Sequence, residues 1–167
     1  MGGRGASSSG GGGGGSRGGG GEEESKVPES FTRTYTSSSG GTVDTQQGRL
    51  DQAEKSNGER QKYEKEHNIA KKVADEGSHV EHLDDKHLSD GSYDARVDGV
   101  KADFKETSGS GNVVKYGRAA IKEQKAEMVI FNFTRFDSKT QEAINELTRK
   151  GIHGWYYKPG VSKHIEF

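Results

Sequence analysis

The segment DARVDGVKADFKET contains the residues best suited to chemistry: Asp103 and Lys105 stand two positions apart, and a second acid, Asp94, opens the segment. Alternate residues of a strand share a face, so Asp103 and Lys105 should point one way while Ala102 and Phe104 point into the core. A carboxylate beside an ammonium can act on a phosphodiester when the two acids hold a divalent cation. It can also act without metal, when the lysine and nearby hydroxyls stabilise the charge of the transition state.

A tight turn should bring the two aspartates together. Asp98-Gly99 lies between two short β-prone runs, and Asp-Gly in that setting is the strongest short-range signal for a β-hairpin. Counting outward from the turn places Ala95 opposite Ala102. The next pair is Asp94 and Asp103, so the sequence predicts two carboxylates on adjacent strands within reach of one site.

The helical segment that precedes this hairpin offers two more candidates, Glu64 and His67. Imidazole titrates near neutrality, so His67 is a candidate general base that takes a 2′-hydroxyl proton. In a metal-dependent alternative, Glu64, Asp94 and Asp103 would hold Mg²⁺ or Zn²⁺. The three histidines of segment 79–87 are expected to lie in a polar strand and loop, because residues three apart on a strand face opposite sides.

Charge is divided unevenly along the chain. Residues 60–100 carry 7 basic and 10 acidic groups, whereas residues 101–167 carry 12 basic and 8 acidic groups. Within the basic half, a predicted helix places Arg118, Lys122 and Lys125 on one face at i, i+4 and i+7 spacing. This face is a candidate contact for the phosphates of a nucleic acid.

Composition divides the chain into an arm and a domain. Fifteen of the 26 glycines fall in the first 45 residues, and such a segment buries too little apolar surface to offset the entropy of ordering. We therefore expect residues 1–48 to be a disordered Gly/Ser-rich arm. Residues 49–61 are predicted to be a helical linker, and residues 62–167 one folded domain.

Hydrophobic periodicity predicts elements in the order α-β-β-β-α-β-α-β-β. The expected class is α+β (α/β-like), with helices packed on a small mixed sheet. The predicted helices and strands, in chain order, are 59–76, 79–83, 93–97, 100–105, 113–126, 128–133, 138–150, 152–157 and 161–167.

Composition also excludes several classes of protein. The chain has no cysteine, which excludes a disulfide scaffold, thiolate zinc sites and cysteine nucleophiles. No apolar run approaches 18 residues, so no membrane span is expected. The Gly/Ser-rich start also lacks the pattern of a secretory signal. The default expectation is a cytoplasmic protein.

The order and spacing of these motifs resemble a known family. The resemblance rests on the runs EHNIAKKVADEGSHVEHL and YDARVDGVKADFKET, a Ser/Gly loop, a helix ending at Gln124 and the strand MVIFNF. Together they are similar to the C-terminal toxin nuclease domains of contact-dependent growth inhibition (CdiA-type) proteins and of related phage-encoded proteins. The resemblance covers roughly residues 62–167.

This resemblance implies a nuclease fold, either barnase–EndoU–colicin–RelE-like or the metal-using PD-(D/E)XK type, and cleavage of RNA, usually tRNA. Asp94 matches the first acid of the family's motif and Asp103 matches the strand acid. Lys105 matches the lysine and Thr107 the hydroxyl that follows it. The resemblance also implies an immunity protein as partner, and delivery by a phage or a secretion system.

We therefore expect a tRNA endonuclease that cleaves by metal-independent transesterification and needs no cofactor. His67 or Asp103 would be the base, while Lys105 and Thr107 stabilise the phosphate and the basic helix holds RNA. One alternative is a PD-(D/E)XK-like nuclease that requires Mg²⁺ or Zn²⁺. Another is a non-catalytic phage or mobile-element protein that binds through a nuclease-like fold. The sequence leaves the oligomeric state open.

Overall fold

The computed structural model describes residues 30–167, so the first 29 residues of the predicted arm lie outside the described range. Within residues 30–167, one mixed sheet of eight strands carries four helices. The strands are β1 (Phe31–Thr36), β2 (Thr42–Gln46), β3 (His79–His82), β4 (Ala95–Val97), β5 (Val100–Thr107), β6 (Met128–Phe133), β7 (Gly154–Tyr157) and β8 (Ile165–Glu166). The helices are α1 (Gln47–Ala53), α2 (Asn57–Asp75), α3 (Val113–Lys122) and α4 (Ser138–Arg149).

The strands lie in the sheet in chain order, from β1 to β8. β2 runs parallel to β3, and β5, β6 and β7 run parallel to one another, while the remaining neighbours are antiparallel. Parallel neighbours need a crossover, which α1 and α2, then α3, then α4 provide. From α2 onward the order is α-β-β-β-α-β-α-β-β, so the predicted α+β class and element order are confirmed.

The first two strands correct the predicted extent of the arm. Residues 31–46, assigned to a disordered segment on composition, form a β-hairpin with its turn at residues 37–41. Threonine alternates with Phe31, Arg33 and Tyr35 in FTRTYT, and threonine and aromatic residues favour an extended chain. The surrounding glycines and serines masked this signal, because composition averages over a window longer than one strand. The predicted linker, residues 49–61, holds most of α1 and the start of α2.

Two hydrophobic cores lie on opposite faces of the sheet. On one face α2 covers a cluster that includes Ala102, Phe104 and Ile130. On the other face α3 and α4 cover a cluster that includes Val129 and Phe131. β6 therefore has apolar packing on both sides, as is usual for parallel strands with crossover helices, whereas β5 contributes apolar residues to the first cluster only.

The β4–β5 hairpin forms as predicted. Asp98 and Gly99 have φ of 49° and 88°, the pair of positive values that a type I′ turn requires. Ala95 lies opposite Ala102, in the predicted register. This register fixes which side chains of the two strands face the same side of the sheet.

α3 ends earlier than the sequence suggested. The helix stops at Lys122, with Glu123 as its C-cap, whereas the prediction extended it to residue 126. Lys125 has a positive φ of 66°, and its Nζ bonds back to the Lys122 carbonyl at 3.0 Å. The predicted i, i+4, i+7 face is therefore wrong at its third member, because the helical spacing does not continue to Lys125.

Within the described residues, no helix is both long and apolar enough to cross a bilayer.

Gly41 offers a test of how the first hairpin packs. A Cβ at this position would overlap the carbonyl group of Ala74 near the end of α2, and that backbone has no room to yield. Gly41→Ala should lower the free energy of unfolding by about 3 kcal/mol. The matched control is Gly58→Ala in the first turn of α2, where a Cβ would make only an ordinary van der Waals contact with Ser56 Oγ at 3.9 Å; it should raise stability by about 0.5 kcal/mol. Denaturant unfolding of both variants measures the difference, and equal stabilities would contradict the packing.

Candidate active site

The β4–β5 hairpin places the two predicted aspartates side by side. The Asp94 backbone N–H donates to the Ala102 carbonyl at 3.1 Å, and the Phe104 backbone N–H donates to Asp94 Oδ2 at 2.8 Å. These two bonds continue the ladder one residue beyond Ala95. Asp94 and Asp103 therefore meet across the hairpin, and both are buried.

Lys105 pairs with Asp103 and turns toward α3. Asp103 Oδ2 lies 2.9 Å from Lys105 Nζ, and the Lys105 side chain is 24% exposed. In the sheet register the two residues stand beside Val129 and Phe131, which belong to the core under α3 and α4. The Lys105 Nζ consequently lies 5.8 Å from the ring centre of Tyr116 on α3. The strand alternation predicted for this segment is the one observed.

Asp103 is short of hydrogen bonds. Both of its carboxylate oxygens are shielded from solvent, and neither accepts a hydrogen bond of good geometry from any residue between 30 and 167. The close contact is with Lys105 Nζ, 2.9 Å from Oδ2, and its positive charge opposes the effect of burial on Asp103. A buried carboxylate in this state is costly to the fold. Such groups are exceptions that a functional role can explain.

The acid of α2 that reaches this site is Glu66, while the predicted Glu64 is exposed to solvent. Two residues correspond to about 200° around a helix, so the two carboxylates point in nearly opposite directions. Glu66 is 7% exposed and lines a cavity together with Lys105. It lies on the buried stripe of α2 between Tyr63 and Ile69. A carboxylate on an otherwise apolar helix stripe is the signal that could have identified it.

Glu66 is held by two buried cationic or polar side chains. Arg49 Nη2 lies 3.2 Å from Glu66 Oε1, and the ring nitrogen Nε2 of His82 lies 3.0 Å from the same oxygen. Burial raises the pKa of Glu66, but the hydrogen bond and charge of His82 and the charge of Arg49 outweigh it and leave this pKa below its usual value. Glu66 is therefore ionised at neutral pH.

Unlike Glu66, the two aspartates have pKa values above the usual value. Burial, then the charges of Glu66 and Asp103, raise the pKa of Asp94 well above its usual value. Burial also raises the pKa of Asp103, although Lys105 partly opposes this. Burial lowers the pKa of Lys105, but its attraction to Asp103 and Asp94 outweighs that and raises it. The site thus holds crowded carboxylates beside an ammonium whose pKa they raise.

A cavity of about 200 Å³ opens beside Lys105, between α2, β5 and α3. Its lining includes Lys62, Lys65 and Glu66 of α2 and Tyr116 of α3. Lys62 and Lys65 were not singled out from the sequence. They are the basic residues of α2 that border this cavity, and both are exposed.

His67 and Thr107 lie next to the site rather than in the lining of this cavity. His67 Nε2 bonds to the Thr34 hydroxyl of β1 at 2.8 Å, and its ring stacks on Tyr63. Burial, then the charges of His82 and Lys71, lower the pKa of His67 to about 4. Thr107 is the last residue of β5 and pairs with Phe133 of β6. Their predicted catalytic roles stay predictions.

The predicted RNA-binding residues of α3 point away from Lys105. The buried face of α3 consists of Val113, Gly117 and Ala120, so Arg118 and Lys122, both exposed, lie on the outer face of the helix. They border two other surface cavities, one along α3 itself and one that reaches the end of α4, rather than the cavity beside Lys105. Arg118 and Lys122 thus lie away from the carboxylates. Lys62 and Lys65 of α2 are the basic residues that lie beside Glu66 and Lys105.

Within residues 30–167, no three histidine, cysteine or acidic side chains form a ready-made metal cluster. The histidines of segment 79–87 are not grouped: His82 is buried against Glu66, and the exposed His87 pairs with Asp84. Glu66, Asp94 and Asp103 are close enough to influence one another's charge. Their carboxylates do not yet surround a common point.

Two comparisons connect this architecture to known proteins. Residues 92–155 match the model of a family described as the contact-dependent growth inhibition CdiA C-terminal domain. This segment contains the β4–β5 hairpin, α3, β6 and α4, and therefore Asp94, Asp103 and Lys105. No curated protein matches the chain.

The fold is similar to that of a solved toxin. A chain of the CdiA-CT/CdiI toxin and immunity complex from Burkholderia pseudomallei superposes with a TM-score of 0.51 and 14% sequence identity. The match covers 65% of this chain and 85% of that chain. At this identity the comparison concerns the fold alone.

Proposed function

We propose that the protein is a toxin of the contact-dependent growth inhibition CdiA type, whose C-terminal domain model matches residues 92–155, and that it cleaves nucleic acid with the help of a divalent cation. Its site comprises Glu66, Asp94, Asp103 and Lys105. This is the metal-dependent alternative of the sequence interpretation, with Glu66 in the place given to Glu64. The proposal favours it over metal-independent cleavage.

The observation that carries the proposal is the pair of buried aspartates, Asp94 and Asp103, with Glu66 near enough to influence the charge of both. The three acids thus influence one another's charge, and both Asp103 oxygens lack hydrogen bonds from the described residues. Carboxylate oxygens are the ligands that Mg²⁺ and Mn²⁺ prefer, so the chemistry of these side chains suits such a cation once the carboxylates converge on it. The lysine that now pairs with Asp103 would release it when the cation binds.

The parts of the site have distinct roles in this proposal. Asp94, Asp103 and Glu66 would hold the cation, which would supply Lewis-acid activation of the phosphate and of a water nucleophile. Lys105 remains protonated and stabilises the negative charge that develops on the phosphate. Lys62 and Lys65 bind neighbouring phosphates at the mouth of the cavity.

The similarity of residues 92–155 to this family supports three narrower proposals. RNA, and tRNA in particular, is the proposed substrate. Delivery into a target cell by a secretion system is the proposed route by which the protein reaches it. An immunity protein is the proposed partner, because the structural neighbour is described as a toxin and immunity complex.

A second candidate function is metal-independent transesterification of RNA. The pairing of Lys105 with Asp103 at 2.9 Å favours it, because a phosphate could bind this lysine with no cation present. His67 with its pKa of about 4 is neutral at pH 7 and could accept a proton, although its low basicity makes it a weak base. This candidate requires His67 to leave its bond with Thr34.

Cleavage assays with and without metal separate the two candidates. Purified protein is incubated with tRNA, single-stranded DNA and duplex DNA, with EDTA or with Mg²⁺, Mn²⁺ or Zn²⁺ restored after EDTA. The proposal predicts tRNA cleavage that EDTA abolishes and a divalent cation restores. Cleavage that survives EDTA, leaves a 2′,3′-cyclic phosphate and disappears in His67→Gln would establish the second candidate. Absence of cleavage under every condition would contradict both.

The two lysines of α2 provide a test of where the substrate lies. The double variant Lys62→Gln, Lys65→Gln should raise KM by about tenfold and flatten the dependence of binding on salt by about one phosphate contact per lysine. The matched control is Arg118→Gln, Lys122→Gln, which removes the same charge from the outer face of α3. It should change KM by about twofold at most. A larger effect of the α3 variant would restore the placement inferred from sequence.

A further inference from the structure

Arg49 is a buried arginine that pairs with Glu66. It is 2% exposed, and its Nε and Nη2 both point at Glu66 Oε1, at 3.3 Å and 3.2 Å. The guanidinium carbon also lies 5.4 Å from the ring centre of Tyr63, one turn before Glu66 on α2. An arginine is seldom buried unless it is paired, and here the partner is a residue of the proposed site.

Arg49 comes from a part of the chain outside the segment matched to the family. It lies on α1, which follows the β1–β2 hairpin, whereas the family match begins at residue 92. The hairpin extends the sheet beside β3 through a parallel pairing. This pairing and α1 together bring the arginine underneath α2.

Glu66 needs such support because it lies on a helix stripe among apolar residues. One of its oxygens, Oε1, receives Arg49 and also His82. Fixing this oxygen leaves Oε2 available for another ligand and reduces the rotational freedom of the side chain. Residues that orient a ligating carboxylate in this way commonly change metal affinity or activity by about 10–100-fold when they are replaced.

We propose that Arg49 is a positioning residue that holds the Glu66 carboxylate in the active site. The β1–β2–α1 unit, which carries Arg49, would then complete a site whose two aspartates, Asp94 and Asp103, lie in the segment matched to the family. This inference rests on the proposed function. It predicts that the unit formed by residues 31–53 is required for activity and is more than a stabilising addition to the sheet.

Three full-length variants test the proposal. Arg49→Gln removes the charge, and Arg49→Lys keeps it. Arg33→Met is the matched control, because Arg33 also pairs with a buried acid, Asp44, at 2.7 Å and belongs to the same unit. Circular dichroism and thermal unfolding establish that each variant is folded. Calorimetric titration with Mn²⁺ and cleavage kinetics then report on the site.

The proposal expects Arg49→Gln to weaken Mn²⁺ binding and to lower kcat, each by about tenfold or more, with little change in the KM for nucleic acid. Arg49→Lys should recover most of this loss, and Arg33→Met should lose stability without a comparable loss of kcat. Equal Mn²⁺ affinity and kcat in folded Arg49→Gln and wild type would overturn it. So would equal losses in Arg49→Gln and Arg33→Met, because these would indicate stability alone.

Nuclear magnetic resonance separates a failure of this inference from a failure of the proposed function. The Arg49 Nε–H should be protected from exchange with water, and its resonance should move in Glu66→Gln. If that signature is present but the wild-type protein neither binds Mn²⁺ nor cleaves nucleic acid, the proposed function fails, and the active-site role of Arg49 fails with it. If the wild-type protein is active and the signature is absent, the positioning role alone is overturned.

Discussion

Lys105→Met should abolish nucleic acid cleavage, lowering kcat by about 1000-fold while the protein remains folded. The ammonium is the cationic group in direct contact with Asp103, and the neighbouring acids keep it protonated by raising its pKa. Methionine preserves the length and most of the packing of the side chain against Tyr116. The loss should therefore appear in kcat more than in KM, because the charge is needed most where the phosphate becomes more negative.

Lys101→Met is the matched control for this substitution. Lys101 lies on the same strand and also pairs with an aspartate, Asp90, at 3.1 Å. Its removal should change kcat by about twofold at most. Steady-state kinetics of both variants on the same substrate provide the comparison. Similar losses in the two variants, or full activity in Lys105→Met, would contradict the assignment of Lys105.

Asp94→Asn should abolish activity and at the same time stabilise the fold. Loss of a cation ligand is expected to lower kcat by about 1000-fold. The amide can still accept the Phe104 N–H through its oxygen, and its NH₂ group can donate to Asp103, which lacks hydrogen bonds from the described residues. Removing one of three crowded charges should raise the free energy of unfolding by about 1 kcal/mol at neutral pH.

This gain should depend on pH in a defined direction. Burial and the neighbouring acids raise the pKa of Asp94 in the folded state, so the folded protein binds a proton more tightly than the unfolded chain. In wild type the contribution of Asp94 to stability is therefore greatest at low pH, and it is lost as pH rises through the folded pKa. The advantage of Asp94→Asn should be full above that pKa and should shrink as pH falls toward about 4. Urea unfolding across this range measures it, and an advantage that grows on acidification would contradict the raised pKa.

The hairpin that carries the aspartates was predictable from the sequence because its determinants are local. Asp98-Gly99 specifies the turn, and the turn specifies the register that brings Asp94 to Asp103. The pairing of Asp103 with Lys105 follows from strand alternation alone. Local rules of this kind need no knowledge of the rest of the fold.

Glu66 was not predicted because helix position had to be combined with tertiary packing. The apolar stripe of α2 was visible in the sequence, but a charged residue on it was not treated as part of it. Glu64 attracted notice by its residue type, whereas burial on the stripe decides which acid faces the sheet. The partner of Glu66, Arg49, lies 17 residues away, in a segment that composition placed at the edge of a disordered arm.

The basic residues of α3 were also misplaced because their position depends on tertiary packing. Their spacing was read from an extended helix, but α3 ends at Lys122, and the apolar residues turn Arg118 outward. Charge in the sequence thus identified a basic surface without indicating its position relative to the acids. Lys62 and Lys65, which border the cavity, lie within residues 60–100. Acidic residues outnumber basic ones in that segment, so its net charge did not indicate a phosphate-binding surface.

The central claim is that Glu66, Asp94 and Asp103 together hold one divalent cation. Anomalous diffraction at the manganese edge from crystals of the wild-type protein grown with Mn²⁺ tests it most directly. The account predicts a single strong peak bound by carboxylate oxygens of Asp94 and Asp103, with Glu66 beside it and Lys105 displaced from Asp103. A protein that cleaves nucleic acid in the same buffer, yet shows no peak at these carboxylates, would contradict it.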